Sequence, residues 1–337
     1  MRDVQETCFA PPLPLMAASP APSPPERPPA AIVGAGAMGT ALARRLQGAD
    51  YPVAAVLSRS ERSARELAAT VGAEVASSEE HALPERVTLV ALCVPDGQVR
   101  SVARALAATD HPWVHCLALH TSGALPAAAL DPLAEAGATT LSFHPLQAFA
   151  EATPPEAFED IYVGLEGTEE AVAAGRALAE TLGTRPLGLP EAAKARYHLA
   201  ASMASNFLVT LTALAGDLLD EATADSREID APTGAEALRP LLAGTVRNLR
   251  DAPPEAALTG PLARGDDDTV AAHLETLRVH HPGLLPTYAA LATETVHQAA
   301  RADRLSPDAA DRLLARLTDA MEAHREGNRE RERGKHR

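Results

Sequence analysis

Between Ala30 and Leu189 short apolar runs alternate with amphipathic ones. The apolar runs fall near 30–34, 52–57, 87–94, 113–119 and 139–143, with a further one at Ile161–Leu165. Helical periodicity occupies the intervals near 38–48, 60–70, 96–108 and 126–136, then 168–182. Near-continuous apolar strands separated by amphipathic helices predict a doubly wound, mostly parallel sheet with both faces covered. Thr184–Leu189 leads out of this layer, and from Pro190 the strand signal stops. Long amphipathic patterns at 191–221, 234–250, 267–277, 284–303 and 306–324 predict an all-helical domain.

The expected organisation is a Pro-rich disordered tail at 1–29, an α/β domain at 30–189, a helical domain at 190–324, and a charged tail at 325–337 that frays. Met16 is an alternative start. The most apolar stretch, Leu199 to Gly216, is interrupted by Ser202, Ser205, Asn206, Thr210 and Thr212, and is read as a buried helix of a soluble domain. No basic flank with a continuous apolar core marks the N-terminus as a signal peptide.

Composition narrows the function. At 337 residues the chain holds two substantial cores, and with 3% aromatics these must be built mainly from Ala, Leu and Val. A net charge of −15 argues against nucleic acid, which needs clustered cations. Only Lys194 and Lys335 are lysines. Such an acidic, lysine-poor balance fits either a high-salt cytoplasm or a GC-rich coding sequence. The three cysteines lack metal or disulfide spacing, which predicts a reducing, cytoplasmic setting.

One stretch carries a specific chemistry. Ala31-Ile32-Val33 enters Gly34-Ala35-Gly36-Ala37-Met38-Gly39 and leaves as an alanine-rich helix. Gly34 permits a tight turn, Gly36 lets the backbone approach a pyrophosphate, and Gly39 lets helix and strand pack closely. The helix start offers free N–H groups and a positive dipole end to phosphate. This is the dinucleotide turn of a Rossmann domain, so the fold class expected is an α/β N-terminal Rossmann domain followed by an all-α C-terminal domain. After the second strand stands Ser58-Arg59-Ser60, with no carboxylate at the strand end. Arg59 between two hydroxyls suits a 2′-phosphate, which favours NADP(H) over NAD. Ser60 also suits the N-cap of the next helix.

Polar residues bunch after three other strands: Cys93-Val94-Pro95-Asp96-Gly97, His120-Thr121-Ser122-Gly123-Ala124 and Ser142-Phe143-His144-Pro145-Leu146-Gln147. Ligands bind at such strand ends in open α/β sheets. Asp96 is expected to cap the helix that follows. Lys194, His198, Ser202 and Asn206 recur every fourth residue, forming a polar stripe on an otherwise apolar helix. Thr259–Asp266 reads as a rigid turn, with Asp266 to Asp268 opening the next helix. Serine-hydrolase, Walker-type and zinc motifs are missing from the sequence.

Together with Tyr197-His198-Leu199-Ala200-Ala201 and Ser205-Asn206-Phe207, these motifs resemble a bacterial group joining a Rossmann-like domain to a helical C-terminal domain of unknown function. The likeness runs from about Ala30 to Ala300, and the group is similar to the 6-phosphogluconate dehydrogenase-like and pyrroline-5-carboxylate reductase-like oxidoreductases. The resemblance implies NADP(H) binding, a cleft between domains and a homodimer through the helical domain. The β-hydroxyacid dehydrogenases of that wider group place a lysine and an asparagine four residues apart on the first helix of the second domain. Here His198 follows Lys194 at that spacing and Asn206 comes two steps later. The resulting expectation is hydride transfer between NADP(H) and a small carbonyl, imine or alcohol. Cofactor contacts are expected at Gly34, Gly36, Ala37, Met38, Gly39, Ser58, Arg59, Ser60, Val94, Pro95 and Thr121. Lys194 or His198 is the expected general acid, with Ser122, His144 and Asn206 orienting substrate. A non-catalytic NADP(H) sensor or interaction module and a deazaflavin-dependent NADP reductase are the alternatives. Neither metal, nucleic acid nor membrane is expected as a partner.

Overall fold

The computed structural model describes residues 27–150, 153–226 and 231–335. The Pro-rich tail therefore lies, through residue 26, outside the described residues. Contacts divide the chain into two compact units, Met1–Val209 and Thr210–Arg337.

The first unit holds strands β1 (Ala30–Val33), β2 (Val53–Leu57), β3 (Val75–Ser77), β4 (Leu89–Leu92), β5 (Leu117–His120), β6 (Thr139–Pro145), β7 (Tyr162–Gly167) and β8 (Arg185–Gly188). Its helices are α1 (Ala37–Gly48), α2 (Glu61–Val71), α3 (Asp96–Ala107), α4 (Asp131–Glu135), α5 (Glu169–Thr181) and α6 (Lys194–Ala204). The sheet order is β3-β2-β1-β4-β5-β6-β7-β8, and every neighbouring pair is parallel except β6–β7. This is the doubly wound, mostly parallel sheet of the expected fold class.

The strands sort their side chains by parity, as a pleat requires. Ala30 and Ile32 of β1, with Leu89 and Ala91 of β4, face a core completed by Leu42, Leu46, Leu67 and Leu178 of α1, α2 and α5. Ala31, Val33, Val90 and Leu92 face the opposite core, with Val99, Leu106 and Leu133 of α3 and α4. Small alanines in β1 and β2 keep the helices close. A fully buried leucine such as Leu46 or Leu106 contributes roughly 1.5–3 kcal/mol by removal from water.

The second unit begins within α7 (Asn206–Thr223) and continues with α8 (Gly234–Ala237), α9 (Arg239–Asp251), α10 (Pro254–Ala257), α11 (Pro261–Arg264), α12 (Asp267–His280), α13 (Leu285–Arg301) and α14 (Pro307–Lys335). Val270, Leu274, Ala292, Val296, Leu313 and Leu317 form its core. Arg316 of α14 grips Asp267 of α12 with both ends of its guanidinium, Nε to Oδ1 at 2.7 Å. Asp266 caps α12 by accepting from the Thr269 N–H.

Several local expectations are corrected. The run 113–119 is not one strand: Trp113–His115 makes a 3-10 turn after Pro112, and β5 starts only at Leu117. Strand β3 escaped the pattern because it has three half-buried residues at the sheet edge. Residues 127–130 are 3-10 rather than α-helical. Asp96 sits in the first turn of α3 and makes no side-chain cap, since Pro95 occupies the cap position. The helical run from 191 breaks at Ser205, where α6 gives way to α7. The charged segment after 324 continues α14 as helix to Lys335.

A larger correction concerns Leu199 to Gly216, expected to be buried. Leu199, Met203, Phe207 and Val209 are all more than half exposed. By length and composition Glu191–Thr223 is apolar enough to cross a membrane, and 6% of its most apolar window is buried.

Candidate functional site

The glycine turn between β1 and α1 separates into three different constraints. Gly34 has φ +108°, and a Cβ there would lie 2.3 Å from the Cys93 carbonyl oxygen. At Gly39 a Cβ would lie 1.9 Å from the Gly34 carbonyl oxygen, so this glycine lets α1 meet the turn. Gly36 is different: nothing lies within 4 Å of its Cβ position. No contact among the described residues requires glycine at 36. The space it keeps open lies at the N-cap of α1, where no side chain caps the helix. Free N–H groups facing an unfilled notch fit a phosphate group.

A groove of about 490 Å³ runs from this turn along the carboxyl ends of β1, β2 and β4. Its lining includes Gly34, Gly36, Ser58, Arg59, Ser60, Val94 and Pro95. Ser60 is the N-cap of α2, its hydroxyl accepting from the Ser63 N–H, while Arg59 is exposed beside it. A second hollow of about 410 Å³ adjoins Gly36 and Ala37, shares Ser63 with the groove and adds Arg44 and Arg62. Arg62 is paired with Glu66 at 2.8 Å. Met38 packs partly into the core below α1. Glu80, just after β3, also reaches the groove. Sequence patterning missed Arg44, Arg62 and Glu80 because their proximity depends on β3 and on the helix crossing.

The second cluster gathers after β5 and β6. His120 is fully buried; its Nδ1 accepts from the Ser122 N–H at 3.2 Å and its Nε2 lies 3.0 Å from the Pro126 carbonyl. Nδ1 must accept, so Nε2 carries the proton and donates to Pro126. Burial pushes its pKa down to about 4, keeping the ring neutral. Ser122 folds its hydroxyl back to accept from the Ala124 and Leu125 N–H groups. Both side chains thus shape the loop 120–126.

Lys194, the first residue of α6, is 3% exposed. Its ammonium donates to the Ser142 hydroxyl at 2.7 Å and to the Ser122 carbonyl at 3.3 Å. Burial draws its pKa below the ordinary lysine range, opposed by the charges of Glu166 and Asp96. Glu166 is itself buried on β7 and accepts from the Ala127 N–H at 2.6 Å. It faces Ser142 across the antiparallel β6–β7 pair. Ser142 opens the polar run 142–147 that the sequence singles out, whereas Glu166 was absent from the sequence candidates; its signal is a lone carboxylate in the otherwise uncharged strand β7.

One turn along α6, Tyr197 meets His144. The phenolic oxygen lies 2.8 Å from Nδ1 of His144 and 3.3 Å from its carbonyl oxygen. The rings meet edge to face, with centroids 5.5 Å apart. A single phenolic proton can serve either acceptor. Burial, reinforced by the charge of Lys194, pushes His144 down to about 4. Burial pushes Tyr197 up to about 12. The rings of His144 and His198 both converge on Gly123, where a Cβ would stand 2.9 Å from each. Gly123 is the gap that lets the two histidines meet the β5 loop.

His144, Tyr197 and His198 open into a pocket of about 810 Å³ that Asn206 also lines. Thr121 lies at the other side of the loop, where its side chain bonds the Cys93 thiol, which burial raises to about 12. The expected stripe is therefore divided. Lys194 points into the sheet, His198 faces the pocket, and Asn206 lies beyond the helix break on α7. Tyr197, missed as a site residue, replaces Lys194 at the pocket wall.

Residues 20–145 match the model of a Rossmann-like domain, and residues 161–295 match that of DUF2520, a domain of unknown function. A Bacteroides fragilis protein of solved structure, described as a "putative NADP oxidoreductase", is 26% identical. Its TM-score is 0.66 over 81% of this chain and 99% of that one. A Thermotoga maritima protein of solved structure is also 26% identical, with TM-score 0.62 over 82% of this chain and 99% of its own. No curated protein matches the chain.

Proposed function

We propose that this protein, which joins a Rossmann-like domain to a DUF2520 domain, is an NADP-dependent oxidoreductase acting on a small carbonyl, imine or alcohol. The observation that carries the reading is one of placement. The open notch at Gly36 and the His144–Tyr197–His198 cluster lie at the carboxyl ends of β1, β4, β5 and β6, four consecutive strands of one sheet. The likeness to the Bacteroides fragilis protein supports it.

The turn Gly34–Gly39 and the first N–H groups of α1 would hold the pyrophosphate. Arg59, with Arg62 and Arg44 nearby, would hold a 2′-phosphate. Val94, Pro95 and Thr121 would flank the nicotinamide, which supplies or accepts the hydride when bound. Tyr197 and His144 form the route by which a proton reaches or leaves the substrate oxygen or nitrogen, and His198 faces the same atom from α6. Lys194 serves as a fixed cation behind them: its charge adds to the burial that keeps His144 neutral, and it anchors the loop through Ser122 and Ser142. Ser122 and Asn206 act on orientation, the former through the loop it caps.

The test uses Tyr197→Phe and His198→Ala. Each is expected to retain NADPH affinity while kcat falls by roughly 100-fold or more, the usual range for losing a positioned acid or base. Unchanged turnover in both variants, or no NADPH consumption by the wild type with aldehydes, ketones and cyclic imines, would overturn the reading.

We also propose a cytoplasmic homodimer joined through the helical region. In its support, Leu199, Met203 and Phe207 in the first unit and Leu241, Val246 and Leu249 on α9 in the second are each about half exposed or more. Cys93 and Cys116 are free thiols, consistent with a reducing compartment.

A further inference from the structure

We infer that the substrate carries no charged group next to its reacting carbon: the site takes an uncharged ketone, aldehyde or imine with apolar substituents, not an α-keto or hydroxy acid. This rests on the oxidoreductase reading above and concerns the same pocket.

The argument is one of charge accounting. Among the described residues that line the pocket none is Arg, Lys, Asp or Glu. Apart from the two histidines, its polar side chains are the uncharged Gln147, Tyr197, Ser202, Ser205 and Asn206. The remainder is apolar, with Leu146, Phe149, Leu208 and Val209 prominent. A carboxylate seated against His144 and Tyr197 would lose water and gain no direct ion pair with an Arg or Lys of the described lining in return. His144 is held neutral, so it offers one hydrogen bond and no charge. The nearest ammonium, that of Lys194, is 3% exposed, stands behind the Tyr197 ring at 5.8 Å from its centroid and donates to Ser142 and the Ser122 carbonyl, so it is no part of the lining. An imidazolium at His198 is the only positive group the described lining can present.

The pocket wall favours the alternative. A flat apolar group can lie against Phe149 and Leu146 while its carbonyl oxygen or imine nitrogen meets the Tyr197 hydroxyl. Burial of apolar surface then drives binding, and one hydrogen bond fixes orientation.

The experiment compares three ligands of nearly equal shape: 4-phenyl-2-oxobutanoate, its ethyl ester and 4-phenyl-2-butanone. Their binding to the full-length protein, with and without saturating NADP+, is measured by calorimetry. NADPH oxidation at 340 nm is recorded separately. The ester and the ketone are expected to bind at least about 10-fold tighter than the acid, as an unpaired, partly desolvated carboxylate requires. Equal or tighter binding of the acid overturns the inference. Failure of all three to bind overturns it as well. Tight binding of the neutral pair without NADPH oxidation supports the inference and counts against the oxidoreductase reading alone.

Discussion

Replacing Gly36 and Gly39 one at a time by alanine separates a ligand notch from a packing contact within the same turn. At Gly39 the added methyl would stand 1.9 Å from the Gly34 carbonyl oxygen and 3.2 Å from the Cys93 Cβ. Restoring ordinary contact requires α1 to shift by about 1.5 Å in a close-packed layer. Backbone cannot rotate away as a side chain can, so Gly39→Ala should cost about 3 kcal/mol or more. For a domain of this size that is a fall in Tm of roughly 6 °C or more. At Gly36 the methyl meets nothing, and the backbone there (φ −82°, ψ −173°) suits any L-residue. Gly36→Ala should therefore leave the free protein within about 1 kcal/mol of wild type. The methyl fills the notch, however, and NADPH affinity should fall roughly 30-fold, or about 2 kcal/mol. Trp113 is the sole tryptophan, buried at 3% exposure in the core under α3, so its fluorescence follows unfolding of the sheet domain. Calorimetric titration gives the affinity. If Gly36→Ala binds NADPH like wild type, or unfolds as readily as Gly39→Ala, the assignment of the notch to a phosphate is wrong.

Other expectations follow from the same contacts. His120 and His144 titrate near pH 4 when folded and near 6.5 when unfolded, so below pH 6.5 the unfolded chain binds more protons. Their stabilising contribution is complete above pH 6.5 and is lost as pH falls towards 4, a loss of order a few kcal/mol together. Urea midpoints that stay level from pH 7 to 4.5 would contradict this. Lys194→Met removes a cation that lowers the pKa of both histidines, so their imidazole resonances should titrate at higher pH by NMR; a shift to lower pH would refute the electrostatic role. Met203→Glu with Phe207→Glu places two carboxylates on an exposed apolar stretch and should convert a dimer to monomers in sedimentation velocity. A dimer that survives both substitutions places the interface elsewhere.

The parts of the fold that were readable from sequence are those where periodicity and burial coincide. The alternation of β1, β2 and β4 with α1, α2 and α3 is written in apolar runs that the two cores fill. Strand β3 and the 3-10 turn at Trp113–His115 were not readable, because three half-buried residues or one proline leave too little pattern. The glycine turn was legible because each glycine has a distinct steric cause. The cluster of Lys194, Tyr197, His198 and His144 was less so. A period-four stripe identified Lys194 and His198 but could not show that Lys194 turns inward, because that depends on Ser142 and Glu166 in strands far along the chain. Tyr197 was hidden between them: its partner, His144, is 53 residues away. Exposure of Leu199 and Phe207 was likewise invisible, since an apolar stretch reads the same whether its own chain or another covers it.

The central claim is that Arg59 and the glycine turn bind NADP(H) for hydride chemistry. Side-by-side calorimetric titration of the full-length protein with NADPH and NADH tests it most directly. The account predicts one NADPH per chain, bound at least about 10-fold tighter than NADH, with the difference abolished in Arg59→Ala, as loss of a charged phosphate contact requires. NADH binding as tightly as NADPH, or an unchanged preference in Arg59→Ala, would contradict it.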